Sequence, residues 1–118
     1  MLNNVTFKQV ILTGALTVAV GIVAARPAAA QDAKKGEAVY TAQKCSVCHQ
    51  VAGKGNKANP LDGVGAKLKA DEIHEWIVDP VAAAKKASSS KKPPMPAKYK
   101  SLPKADVDDL VAYMQSLK

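Results

Sequence analysis

Two thiols and one imidazole lie within five consecutive residues near the middle of the sequence. Cys45 and Cys48 are separated by two residues, and His49 follows the second cysteine directly. On helical or turn backbone, side chains three positions apart face the same side and lie about 5 to 6 Å from each other. The two thiols can therefore bond to one shared partner, and the neighbouring imidazole can bind a metal ion carried by that partner.

The residues Cys45-Ser46-Val47-Cys48-His49 form the Cys-x-x-Cys-His pattern at which c-type haem is attached. Their spacing suits thioether bonds from the cysteines to the two vinyl groups on one porphyrin edge, and it lets the imidazole reach the iron beneath the ring. The pattern predicts one covalently bound haem c, with Cys45 and Cys48 as attachment sites and His49 as an iron ligand.

Three other chemistries compete for the same residues. A thioredoxin-like redox motif needs a βαβ context, and no strand-length run of alternating or β-branched residues occurs after residue 30. A zinc site needs a fourth ligand, and His74 is the only other histidine in the chain. A disulfide between Cys45 and Cys48 would close a loop too short to stabilise the fold much. Haem attachment is the favoured interpretation.

The first thirty residues have the composition of an export signal. Lys8 gives a modest positive charge, residues 10–25 carry no charge, and the three alanines at 28–30 have the small-x-small form that a signal peptidase reads. We expect a signal peptide over residues 1–30, cleavage directly behind it, and a periplasmic domain over residues 31–118.

An uncleaved membrane anchor is the alternative for this segment. The uncharged run is 16 residues long, which exceeds a typical signal-peptide core and falls just short of the roughly 17 to 25 residues of a spanning helix. Arg26 behind it could act as a weak stop-transfer charge. Both interpretations place the rest of the chain outside the cytoplasm, and the domain is held at a membrane only if residues 10–25 are retained.

The remainder of the chain is short of large apolar side chains. The 118-residue chain has a net charge of +7, which falls to +5 for the 88 residues after position 30 because Lys8 and Arg26 are the only charged side chains removed. Domains this small are marginally stable, and below roughly 70 to 80 residues a core rarely suffices without a disulfide, metal or cofactor. The composition predicts one small domain in which something other than side chains fills the interior.

Short helices joined by long loops are predicted for this domain. A first helix runs from Ala33 to about Lys44 with Asp32 as its N-cap, and a second runs from about Ala70 to Val78, where the following Asp79-Pro80 ends it. A third helix covers residues 104–117. Its apolar stripe consists of Val107, Leu110, Val111, Met114 and Leu117.

The segments between these helices contain many helix breakers. Residues 50–66 include four glycines and one proline, which predicts a loop without regular elements. Residues 81–94 consist largely of alanine, lysine and serine and end in a proline pair, which predicts a mobile surface segment that is helical at its start.

The domain resembles a small class I monohaem cytochrome c with a distal methionine. The resemblance covers residues 32–118, and beside the Cys-x-x-Cys-His pattern it rests on four further motifs and the tyrosine of the last helix. These are Gly36-x-x-x-Tyr40, Pro60-x-x-Gly63, Trp76-Ile77-x-Asp79-Pro80, Met95-Pro96 and Tyr113. It implies an all-α fold in which short helices and long loops wrap around one covalently bound haem.

A glycine inside the first helix needs an explanation. A mid-helix glycine costs about 1 kcal/mol relative to alanine, so Gly36 indicates a close approach of another backbone, or else simple tolerance of a weak residue. The resemblance implies that the first and last helices cross here, with Gly36 and Tyr40 against Leu110 and Tyr113.

The sixth iron ligand decides between a carrier and an enzyme. Met114 belongs to the apolar stripe and is better explained as a core residue, and His74 is a lone helical histidine of the kind usually solvated or packed. Met95 lies among three prolines, where the pattern supplies no packing partner. We expect Met95 to be the ligand opposite His49, in agreement with the resemblance.

Iron bound by both His49 and Met95 has no open position for a substrate. The expected function is therefore one-electron transfer between periplasmic or membrane redox partners, and the chain is not expected to be an enzyme. One alternative is a membrane-anchored or complex-bound cytochrome c subunit. Another is a haem protein with an open sixth site that binds gas or peroxide.

The resemblance also assigns two residues that support the haem. The carbonyl of Pro60 would accept a hydrogen bond from Nδ1–H of His49, which fixes the orientation of the imidazole. Trp76 would donate its indole N–H to a haem propionate, and a plain core aromatic is the alternative for this residue.

Lysines cluster around the motifs assigned to the haem. If they surround its exposed edge, they would speed encounters with acidic docking patches on redox donors and acceptors; a merely solvated lysine-rich loop is the alternative. The lysines concerned are Lys44, Lys54, Lys57, Lys85, Lys86, Lys91 and Lys92. Binding to nucleic acid is disfavoured because no aromatic residues accompany the basic ones.

Overall fold

Helices α1 and α5, at the two ends of the domain, pack against each other more extensively than any other pair of described elements. The computed structural model describes residues 31–118, which form five α-helices and one antiparallel hairpin. In chain order they are α1 (Ala33–Ala42), β1 (Gln50–Val51), β2 (Lys54–Gly55), α2 (Val64–Lys67), α3 (Ala70–Val78), α4 (Pro80–Lys86) and α5 (Lys104–Ser116). Two 3₁₀ helices cover Cys45–Val47 and Ala97–Ser101. The predicted pattern of short helices and long connections is confirmed.

The predicted signal peptide or anchor over residues 1–30 lies outside the described residues. Within residues 31–118, no helix is both long enough and apolar enough to cross a membrane.

Helix α1 begins where the sequence predicts it and is tied to α5 at the same point. The carboxylate of Asp32 accepts hydrogen bonds from the backbone N–H groups of Lys34 and Lys35, at 2.9 and 3.2 Å. These are two of the donors that the first turn of a helix leaves unpaired. The N–H of Asp32 itself donates to the Asp109 carboxylate at 2.8 Å, which joins the start of α1 to α5.

Gly36 is required at the crossing of α1 and α5. A Cβ atom at this position would lie 2.7 Å from Cβ of Tyr113 and would overlap the backbone carbonyl of Asp109. One turn later Tyr40 packs edge-on against Tyr113, with ring centroids 5.6 Å apart. The predicted crossing of the two terminal helices is confirmed.

The buried core is built from one face of α5 and the facing sides of α1 and α3. The predicted stripe of α5 is buried at its first four positions, and Leu117 is partly buried. The buried cluster consists of Tyr40, Ile73, Ile77, Val107, Leu110, Val111 and Met114. These side chains of three helices form one cluster, the core layer, and partly buried loop residues such as Leu61 and Leu102 pack against it.

Asp79 separates α3 from α4, as the Asp-Pro pair predicts. Helix α3 ends at Val78, and Pro80 occupies the first position of α4, where a proline needs no N–H donor. The Asp79 carboxylate accepts the N–H of Ala82 at 3.1 Å and so caps the new helix. The predicted helical start of residues 81–94 is confirmed, and it extends to Lys86.

The prediction that residues 50–66 hold no regular element is wrong. They form the hairpin of β1 and β2, with Val51 paired to Lys54, and the single turn of α2. Ala52 and Gly53 both have positive φ, at 50° and 78°, which is the backbone that a tight hairpin turn needs. Glycine here permits the turn instead of abolishing the strands.

We predict that Gly36→Ala destabilises the domain although alanine is the better helix former. The added methyl group forces α1 and α5 apart, and overpacking of this kind costs about 1 to 3 kcal/mol. Lys35→Ala, on the exposed side of the same helix, is the control and should change the free energy of unfolding by less than about 0.5 kcal/mol. Denaturant unfolding of the two variants measures both values; equal stabilities would contradict the close approach.

Candidate functional site

A large apolar cavity lies between the core layer and the loops that cover it. Its volume is about 560 Å³, within the range of about 300 to 1,000 Å³ usual for small-molecule and cofactor sites. Leu110 and Met114 of α5 contribute to one wall, and the segment of Cys45 to His49 contributes to another. The prediction that side chains alone do not fill the interior agrees with this cavity.

The predicted attachment residues lie on a turn at the cavity wall. Cys45 begins a 3₁₀ helix, and its carbonyl accepts the N–H groups of Cys48 and His49 at 3.1 and 2.9 Å. Lys44 before it has a left-handed backbone with φ of 56°, which turns the chain away from α1. Both thiols line the cavity, and they are not joined by a disulfide. The turn thus presents both cysteines to the same space.

The properties of the thiols separate the competing interpretations. Burial raises the pKa of the Cys45 thiol, whereas a thioredoxin-like cysteine needs a lowered pKa to react as a thiolate. Within residues 31–118 no group of three or more His, Cys, Asp or Glu side chains forms a metal-binding cluster. Two thiols that are not paired with each other, beside an apolar cavity, fit the vinyl edge of a haem.

The orientation of His49 suits an iron ligand. Its Nδ1–H donates to the backbone carbonyl of Asn59 at 3.1 Å, and because a carbonyl only accepts, Nδ1 carries the proton. The lone pair of Nε2 is then available to a metal, and the ring lines the cavity. Burial lowers the pKa of His49, which favours the neutral imidazole that binds a metal.

The prediction that Pro60 supplies this carbonyl is wrong by one residue. Gln50 pairs in parallel with Pro60, so that its N–H donates to the Asn59 carbonyl at 3.2 Å and its own carbonyl accepts the N–H of Leu61 at 2.8 Å. Carbonyls alternate in direction along an extended chain. The Asn59 carbonyl therefore faces Gln50 and His49, and that of Pro60 faces away.

The residues at the end of the hairpin are hydrogen-bonded to the attachment turn, and the sequence analysis does not predict these contacts. The N–H of Asn56 donates to the carbonyls of Ser46 and His49 at 3.2 and 3.1 Å, and its side-chain amide donates to the carbonyl of Val47 at 3.2 Å. A Cβ on Gly55 would overlap the His49 carbonyl, so only glycine fits here. No sequence pattern known to us signals these contacts, because they join a turn to a hairpin that was not predicted.

The three candidates for the sixth ligand lie in different surroundings. Met95 is partly buried and lines the cavity from a segment outside the helices. Met114 also lines the cavity but is only 7% exposed and belongs to the core cluster. His74 is exposed and does not line the cavity. Trp76 is partly buried and lines the cavity, a position compatible with either role predicted for it.

Only some of the predicted lysines reach the cavity. Lys44, Lys85 and Lys91 contribute to its lining, while Lys86 is paired with Glu75 at 2.6 Å on the surface. Sequence reasoning missed Tyr99, which is partly buried and also lines the cavity. Burial raises the pKa of this phenol. The lining thus combines an apolar interior with cationic groups at its edge.

The comparisons with known proteins agree with this site. The family model described as Cytochrome c matches residues 33–118, and the chain therefore belongs to the cytochrome c family. Searches of curated proteins and of solved structures gave no match. The family binds haem c covalently, and Cys45 and Cys48 fit its attachment motif. The chain is accordingly a haem c protein with the all-α fold of electron carriers.

We predict that Cys48→Ala retains haem through Cys45 alone. One vinyl group then stays unsaturated, which shifts the α band of the reduced pyridine complex to longer wavelength than that of the unsubstituted protein. The Cys45→Ala, Cys48→Ala double variant should release its haem on denaturation, and Ser46→Ala should behave as the unsubstituted protein. An unshifted band in Cys48→Ala would contradict two-point attachment.

Proposed function

We propose that the protein transfers single electrons through a haem whose iron is bound by Nε2 of His49 and Sδ of Met95. The observation that carries this proposal is that the two thiols, the imidazole and a partly buried methionine line the same apolar cavity. The bound haem would supply one-electron chemistry between ferrous and ferric iron. The protein's own part is to hold the two ligands, limit access of water and leave an edge of the haem accessible to partners.

Met95 is the better candidate for the distal ligand on two grounds. Met114 is buried in the α5 stripe among Leu110 and Val111, where its side chain has packing partners of its own. Met95 lies outside the helices between Pro94 and Pro96, whose fixed φ angles limit the positions that its backbone can take. A thioether held in a stiff segment can be placed on iron with little further loss of conformational entropy.

The residues that would surround the iron would favour its reduced form. A thioether ligand stabilises ferrous iron and raises the reduction potential. The apolar lining disfavours additional charge in the interior and acts in the same direction. The hydrogen bond from His49 to the Asn59 carbonyl keeps the imidazole oriented in both oxidation states. Iron held by both His49 and Met95 would have no open position, which supports electron transfer over gas or peroxide chemistry.

Location and partners extend the same proposal. The sequence of residues 1–30 supports export to the periplasm, with retention as a membrane anchor as the alternative. Lys44, Lys85 and Lys91 at the cavity edge support docking to redox proteins that present acidic patches. The remaining surface lysines of this region add to the positive potential, which salt would screen.

We predict that substitution of Met95 changes iron ligation, whereas substitution of Met114 changes stability. Met95→Ala opens the sixth position, so the ferrous protein binds carbon monoxide promptly and the reduction potential falls. Met114→Ala leaves the iron ligands in place but removes a buried side chain, which costs about 2 to 5 kcal/mol of unfolding free energy. Carbon monoxide titration, potentiometry and denaturant unfolding on both variants measure these effects.

Two results would contradict the ligand assignment. One is that Met95→Ala keeps the absorption spectrum and potential of the unsubstituted protein. The other is that the unsubstituted ferrous protein binds carbon monoxide as promptly as Met95→Ala does, which would favour the open-site alternative.

A further inference from the structure

The segment that carries Met95 is attached to the rest of the domain by very few hydrogen bonds. After α4 the N–H of Ser89 donates to the Ala84 carbonyl at 2.8 Å, and regular main-chain hydrogen bonding resumes with the 3₁₀ helix of Ala97–Ser101. Among the described residues, the backbone from 90 to 95 makes no main-chain hydrogen bond. Every residue of that stretch except Met95 is exposed. A stretch with this little support opens locally at low free-energy cost.

Lys91 makes a hydrogen bond that joins this segment to the loop before Asn59. Its Nζ donates to the backbone carbonyl of Ala58 at 3.1 Å, although the two residues are 33 positions apart in the chain. Ala58 is followed directly by Asn59, the residue whose carbonyl holds His49. Lys91 also lines the cavity, so its side chain lies along the cavity edge. The contact therefore joins the segment of the proposed distal ligand to the loop that orients the proximal one.

The chain between Lys91 and Met95 is suited to transmit this contact. Pro93 and Pro94 lie between the two residues, and proline fixes φ near −65°. The φ angles of both prolines are fixed, and the residue before each proline is restricted to extended backbone, so displacement of one end is passed on to the other. A flexible linker of the same length would not couple the two positions.

We propose that Lys91 is a positioning residue that keeps Met95 on the iron by fastening residues 90–96 to the Ala58 carbonyl. The proposal rests on the proposed function, because it presupposes Met95 as the distal ligand. Loss of the contact would leave the fold intact and make the methionine easier to displace. Lys91 would thereby set how readily the closed site admits a foreign ligand.

Lys92 provides a matched control in the next position. It carries the same charge and is exposed, but it neither lines the cavity nor makes a hydrogen bond within the described part of the chain. Lys91→Met and Lys92→Met remove the same charge and keep a side chain of similar length. Lys91→Arg retains a cationic donor and should restore the contact.

The test is the binding of imidazole to the ferric haem protein, followed by absorption. Imidazole can bind only by displacing the distal ligand, and its neutral form does not respond directly to the lost charge. Lys91→Met should bind it about fivefold more tightly than the unsubstituted protein, the factor that corresponds to one net hydrogen bond. Lys92→Met and Lys91→Arg should bind it as the unsubstituted protein does. Hydrogen exchange of the hydrogen-bonded amides of residues 87–89, which directly precede the segment, should be faster in Lys91→Met alone.

Equal imidazole affinity in Lys91→Met and Lys92→Met would overturn the proposal, and so would faster hydrogen exchange with unchanged affinity. A separate result identifies failure of the underlying ligand assignment. If Met95→Ala binds imidazole no more tightly than the unsubstituted protein, Met95 is not the distal ligand and the role of Lys91 falls with it. If Met95→Ala binds it much more tightly while Lys91→Met does not, only the role of Lys91 is wrong.

Discussion

A small helical domain with few large side chains has to fill its interior with something else. In this chain the core layer of α1, α3 and α5 forms one side of a cavity of about 560 Å³, and loops form the other. Without a bound group, the apolar walls of this cavity would face water and would add nothing to the hydrophobic stabilisation of a domain whose net stability is only about 5 to 15 kcal/mol. Haem bound at Cys45 and Cys48 therefore belongs to the core as well as to the function.

Different elements around the cavity hold different parts of the site. The crossing of α1 and α5 at Gly36 brings the two ends of the domain together and provides a rigid wall. The hairpin beneath the attachment turn fixes the backbone of the haem-binding motif and places the Asn59 carbonyl against His49. The segment that carries Met95 has far less backbone support. The side of the cavity that holds His49 is thus supported by several hydrogen bonds, whereas the side that holds Met95 depends on very few.

Much of this arrangement could be predicted because its signals are local. The stripe from Val107 to Met114, the Asp32 cap and the Asp79-Pro80 break each act within one or two turns of helix. Gly36 was interpretable once the family's helix crossing was considered. The carbonyl partner of His49 was misassigned to Pro60 because it depends on the pairing register with Gln50, which no local pattern encodes. The hairpin was missed for a related reason: glycines at 53 and 55 indicate a turn but do not identify the strands on either side.

The direct test of the account is whether the polypeptide folds without haem. Circular dichroism and denaturant unfolding should be compared between the haem-loaded protein and the same chain produced without haem ligation. The account predicts cooperative unfolding for the loaded protein and loss of most helical signal and of the cooperative transition for the haem-free chain. A haem-free chain with the same helix content and a cooperative transition of similar midpoint would contradict it.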